Sequence, residues 1–247
     1  MTGMKSLAIH FKSTILATAF ALCYGTAFAQ TIYSDGHADF GVVFEDPDWF
    51  IHYHFDIGAV LDDIPITLDE EFEPSDVIVQ LGDSAKITLP VPVAFLDANA
   101  GDDIWLIPQT QLPGVPWLGF STEELDSSWG QITFALSSFS GPGNFALWST
   151  DSFGQPIIKM QTNNGVDPAE DFETIGITHA HYNWGFTELG TYELGITVSA
   201  TNEDPAIGFQ SNTATITVQV VPEPGSALLV LTAGAVLGLF RRRRSNR

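Results

Sequence analysis

Gly190–Ala200 reads G-T-Y-E-L-G-I-T-V-S-A and Ser211–Val221 reads S-N-T-A-T-I-T-V-Q-V-V. Both alternate apolar or β-branched residues with polar ones, the period-two pattern of a strand with one face in a core. A turn separates them, so the pair predicts two long strands near the end of the chain. Working backwards, Asn144–Thr150 and Gln131–Phe139 are further strands, the latter with Ile132, Phe134 and Leu136 set against Thr133, Ala135 and Ser137. Ser140-Gly141-Pro142-Gly143 turns between them.

Upstream, Ile104–Gly119 is apolar and proline-punctuated, with Trp105 and Trp117, and predicts a strand followed by a packed loop. Ser121–Leu125 begins like a short helix. Ala85–Leu89 and Ile78–Leu81 are short strands, and Tyr33–Val43 is a turn followed by a short strand. Leu61–Asp76 reads as an acidic loop, with solvated charge a better account than a calcium site, and Thr162–Glu173 as a polar, acidic loop leading into the second histidine pair. Asp97–Asp103 is also calcium-loop-like. It puts Gly101 one place early and lacks a glutamate at the twelfth position, so it reads as a polar turn. Many short strands with Gly, Pro and Asp turns and no long helical period give an all-β fold, an immunoglobulin-like β-sandwich.

The ends carry other signals. Residues 1–29 hold Lys5 and Lys12, an apolar run Ile15–Cys23 and the small-residue site Ala27-Phe28-Ala29, the pattern of a secretory signal peptide. A lipoprotein signal at Cys23 is the alternative, but Phe20-Ala21-Leu22 lacks the small residues it needs. The single cysteine lies in this segment, so residues 30–221, the expected domain, have neither disulfides nor thiolate ligands. After Val221 come Pro222-Glu223-Pro224-Gly225, an apolar run Ser226–Phe240 and Arg241–Arg244. That predicts a C-terminal membrane anchor helix with its arginines on the cytoplasmic side.

Residues 30–221 hold 29 of the 30 acidic side chains against two basic ones, Lys86 and Lys159, and no arginine. Such a surface repels nucleic acid and anionic membranes and attracts cations. Much of the acidity serves solubility outside the cell.

The five histidines of this region are unevenly placed. Phe50–Asp56 reads F-I-H-Y-H-F-D and Thr178–Phe186 reads T-H-A-H-Y-N-W-G-F. On a strand, residues i and i+2 share a face about 6.6 Å apart, so each H-x-H presents two imidazoles side by side. Around the first pair, Trp49, Ile51, Tyr53, Phe55 and Ile57 form the core face, which puts His52, His54 and Asp56 on the accessible one. Asp35, His37 and Asp39 share parity in the same way. Imidazole suits zinc, and four ligands suffice. The expected site draws His52 and His54 from one strand and His179 and His181 from another, with His37 as a further ligand or a partner that orients one.

Two hydrolytic or oxidative arrangements fit poorly. His52-x-His54-x-Asp56 resembles the H-x-H-x-D-H of metallo-β-lactamase-like hydrolases, but Ile57 stands where the last histidine belongs and that fold's α/β pattern is absent. His179-x-His181 resembles the cupin pair, but Glu188 comes too late. No H-E-x-x-H and no serine elbow occurs. A non-enzymatic role is expected, a metal-dependent hydrolase being the minor alternative.

In its three parts, residues 222–247 resemble the PEP-CTERM sorting signal. That resemblance implies a Gram-negative or cyanobacterial exporter, recognition by an exosortase, and delivery to the cell surface or extracellular matrix. G-H-A-D-F (36–40), I-H-Y-H (51–54), I-W-L-I-P-Q-T-Q (104–111), W-L-G-F-S-T-E (117–123), S-G-P-G-N-F-A-L (140–147) and H-A-H-Y-N-W-G-F-T (179–187) look like the choice-of-anchor M domain, a surface-anchored domain of actinobacterial wall proteins. With the tail, the combination resembles a cyanobacterial PEP-CTERM family under zinc-uptake-regulator control. It implies synthesis under zinc scarcity and a role in extracellular zinc capture. The rival expectation is a structural or adhesive matrix protein whose tryptophans meet extracellular polysaccharide.

Overall fold

The computed structural model describes residues 29–222; the expected signal peptide up to Phe28 and the sorting tail from Glu223 onward lie outside the described residues. The described residues hold seventeen strands and four single 3₁₀ turns joined by loops, with no α-helix. In chain order the strands are β1 (Thr31–Glu45), β2 (Asp48–Phe55), β3 (Val60–Leu61), β4 (Ile64–Pro65), β5 (Glu70–Phe72), β6 (Val77–Leu81), β7 (Lys86–Thr88), β8 (Asp103–Ile107) and β9 (Pro116–Ser121). They continue as β10 (Ile132–Ser140), β11 (Phe145–Thr150), β12 (Pro156–Gln161), β13 (Phe172–Ile175), β14 (His179–His181), β15 (Asn183–Phe186), β16 (Gly190–Thr201) and β17 (Phe209–Val220). The fold is all-β, built from two sheets.

One sheet has five strands in the order β12-β11-β15-β8-β7. The other has twelve, with a main path β13-β10-β16-β17-β6-β1-β2-β5 and two branches from β1, one of β9 and β14 and one of β3 and β4. The terminal pair behaves as its alternation requires: β16 and β17 run antiparallel from Gly190↔Val220 to Thr201↔Phe209. Tyr192, Leu194, Ile196 and Val198 are fully buried on one face, and Ile216, Val218 and Val220 join them. The aromatic centre packs Phe120 on Phe134 with ring centroids 4.4 Å apart, and Trp184 edge-on to Phe120 at 5.3 Å. Burying side chains of this size is the main favourable term for the fold.

β1 is longer than expected, one 15-residue strand rather than a turn and a short strand. Its first residues pair with β6, in parallel, and with β3; its remainder pairs with β2, antiparallel, and with β9, in parallel. The change of partners falls at Gly36, whose φ is +88° and where a Cβ would lie 2.7 Å from the Ala59 Cα. Only glycine fits that crowded, left-handed position. The Tyr33 hydroxyl closes the corner, donating to the Gly36 carbonyl (2.7 Å) and accepting from the Trp117 N–H (3.0 Å).

Several local expectations change. Ser121–Leu125 ends a strand and turns instead of starting a helix, and the packed loop after β8 contains β9. The acidic segment Leu61–Asp76 is tied down by β4 and β5, and Thr162–Glu173 runs into β13. Ile57 is exposed although it continues the core parity, because β2 has ended two residues earlier.

Candidate metal centre

The strands β2, β1, β9 and β14 lie side by side, and their registers set up three rows across one face. His54 pairs with Asp39, Asp39 with Gly119, and Gly119 with His181. In the next row His52 pairs with Gly41, Gly41 with Ser121, and Ser121 with His179. On the other side His37 pairs with Trp117, and its carbonyl accepts the Asp56 N–H at 3.3 Å. The opposite face of the same strands carries Tyr53, Phe55, Ala38, Phe40, Leu118 and Phe120, all fully buried. Strand alternation therefore puts all five histidines and Asp39 on the face away from the core.

Within that face the histidines divide into two groups. One ring nitrogen from each of His37, His179 and His181 lies within 4.8 Å of the others. His52 groups instead with Glu71 and Glu124. His54 sits between, 3.6 Å from Asp56 and 3.7 Å from Glu71. The two H-x-H pairs thus share a face with β1 and β9 between them, and the closest neighbour of the second pair is His37. His52 is also buried, against the accessible position its parity suggests, because Glu124 covers its outer edge.

In the first group, His37 Nε2 and His181 Nε2 face each other at 3.0 Å. Asp39 joins them: its Oδ2 is 3.6 Å from His37 Nε2 and its Oδ1 3.8 Å from His181 Nε2. Gly119 makes this possible, since a Cβ there would collide with the Asp39 carboxylate and the His181 ring. Carboxylates hold the outer nitrogens. His37 Nδ1 meets Asp56 Oδ2 at 2.6 Å and His179 Nδ1 meets Glu123 Oε2 at 3.0 Å. A carboxylate partner places the proton on Nδ1 and leaves the Nε2 lone pair available, the arrangement that orients metal-binding histidines. Trp117 stacks on His181 with centroids 3.9 Å apart and planes 14° apart, and its indole N–H is tied to the Gln109 carbonyl.

The electrostatics are unusual for an acidic surface. Burial, reinforced by the nearby His37 and His179, pushes the His181 imidazole down to about 4. It is therefore neutral, as a metal ligand must be, at physiological pH. Burial pushes the Asp39 carboxyl up, against the pull of His37 and His179, and its Oδ1 is buried with no hydrogen-bond partner. The exposed His179 is shifted the other way, raised by its hydrogen bond to Glu123. A buried carboxylate oxygen without a donor costs on the order of 1–3 kcal/mol or more. A cation between Asp39 and the imidazoles would remove that cost.

Sequence reasoning found the three histidines and noted Asp39 and Asp56. It missed Glu123, Glu124 and Glu71, which have no distinguishing signal among 30 acidic residues. No family model matches the chain, and neither a curated protein nor a solved structure does.

Proposed function

We propose that this is an exported, surface- or matrix-displayed zinc-binding protein with no catalytic role, serving zinc capture when zinc is scarce. The observation that carries the zinc reading is the convergence of His37, His181 and the unpartnered Asp39 oxygen, with His179 at the rim. Zinc–ligand bonds of about 2.0–2.1 Å put tetrahedral donors about 3.4 Å apart. The donor separations of 3.0, 3.6 and 3.8 Å bracket that value. On this reading His37, His179, His181 and Asp39 form the set, while His52 and His54 serve cations arriving beside it.

The remaining parts of the proposal rest on the sequence. Export follows from residues 1–29; display, exosortase processing and transient membrane anchoring follow from the PEP-CTERM resemblance of 222–247. Capture under zinc limitation follows from the choice-of-anchor M resemblance. The immunoglobulin-like assignment is supported by the long closing hairpin β16–β17. The proposed anchor, Ser226–Phe240, rests on its apolar sequence and the arginines after it and lies outside the described residues.

A metal-dependent hydrolase is the second reading. It is favoured by a cleft of about 510 Å³ beside the rim, lined by His37, Asp56, Gln111, Trp117 and His179 among others, through which a substrate would reach the ion. Metal analysis and zinc titration of the purified protein, beside His179→Ala/His181→Ala, test the proposal. One tightly held zinc lost in the variant supports it. Zinc absent from both, with binding to polysaccharide, supports a matrix or adhesive role instead. Turnover of ester, amide or phosphate substrates by the zinc form would establish the hydrolase.

A further inference from the structure

His52, buried on β2, points its Nε2 at Glu124 Oε1, 2.8 Å away. Glu71 on β5 brings a second carboxylate, so that one nitrogen and two carboxylate oxygens lie within 4.8 Å of one another. His52 pairs with Gly41 of β1, and β5 joins the other side of β2 from the next residue, with His54 opposite Glu71. A Cβ on Gly41 would sit 3.5 Å from His52 Nε2, in ordinary van der Waals contact. No lysine or arginine is paired with either carboxylate among the described residues. The only ammonium side chains among the described residues, Lys86 and Lys159, are paired with Asp103 and Glu173.

We infer that His52, Glu71 and Glu124 form a second divalent-cation site, distinct in ligands from the histidine-rich centre and independent of it. One imidazole and two carboxylates make a harder donor set than three imidazoles and one carboxylate, which suits zinc or manganese held more weakly and more exchangeably. Glu71 and Glu124 are well exposed, with side chains 60% and 41% accessible, so the ion meets solvent directly. His54 and Asp56 then connect the two sites. Glu71 lies 3.7 Å from His54, His54 lies 3.6 Å from Asp56, and Asp56 holds His37. The second site is placed to receive a cation from the acidic surface beside the deeper one.

Equilibrium dialysis against zinc, with metal counted per chain, tests this on the full chain, on Glu71→Gln/Glu124→Gln and on His179→Ala/His181→Ala. Two ions on the parent chain, falling to one in the Glu71/Glu124 variant with the tight site kept, is the expected result. The His179/His181 variant should keep the weaker ion alone. Both glutamates are exposed, so the fold is expected to persist, and circular dichroism of the variant checks it. Equal stoichiometry in the parent and the Glu71/Glu124 variant would overturn the second site. A single ion lost only with His179 and His181 overturns it too, while leaving the first site intact. A single ion lost only with Glu71 and Glu124 overturns the first reading and keeps this one.

Discussion

Asp39 is where binding and stability pull apart. Its carboxylate is buried beside two imidazole nitrogens, one of its oxygens has no donor, and its ionisation is opposed by that burial. Asp39→Ala is expected to leave the thermal midpoint of the metal-free protein unchanged or higher, while weakening zinc by two orders of magnitude or more. A midpoint several degrees lower, with zinc affinity intact, would mean the carboxylate is structural. Asp56 acts one step further out, by fixing the proton of His37 on Nδ1. Asp56→Asn should cost about 10–100-fold in zinc affinity, the usual effect of losing such an orienting partner. Dialysis against a competing chelator measures both.

At the level of strands, the site depends on one long strand changing partners. β1 carries His37 and Asp39 between β2 and β9 only because it turns the corner at Gly36. Gly36→Ala must fit a Cβ against the Ala59 backbone at positive φ, and about 2–4 kcal/mol of stability should be lost. Denaturant unfolding would show it. This also explains what could be read from the chain. The strands β10, β11, β16 and β17 were legible because alternation is a local property, and so was the shared face of each histidine pair. Short strands such as β4 and β5 were hidden, because polar residues pair there only when a distant strand is present. The grouping of His37 with His179 and His181 was hidden for the same reason. It follows from β1 lying parallel to β9 and β9 antiparallel to β14, contacts between residues as far apart as His37 and His181. Two-residue periodicity assigns a face but not a neighbour.

For the whole molecule, pH and charge act together. His181 is held well below its ordinary value, so the metal-free fold gains from it only above the unfolded value near 6.5 and loses that gain progressively as pH falls towards 4. Asp39 has the opposite sign: its raised value favours the fold at low pH, a contribution lost as pH rises through the carboxylate range. The exposed His179, also raised, contributes weakly in that direction. Zinc needs its imidazoles neutral and Asp39 ionised; His181 is already neutral at pH 5, so the protons that compete there are on His179 and Asp39, both raised, and added zinc should raise the thermal midpoint more at pH 7.5 than at pH 5. Equal zinc stabilisation at both pH values would exclude His179 as a ligand. The 29 acidic side chains of residues 30–221 add a field that does not depend on the site. Self-repulsion of that charge is screened by salt over about 10 Å at 0.1 M. Raising sodium chloride from 20 to about 300 mM should therefore raise the metal-free midpoint and slow zinc association, with a smaller change in dissociation. Stopped-flow mixing with a zinc indicator separates the two rates. A salt effect confined to dissociation would mean that the acidic surface does not gather the ion, and that solubility alone accounts for its charge.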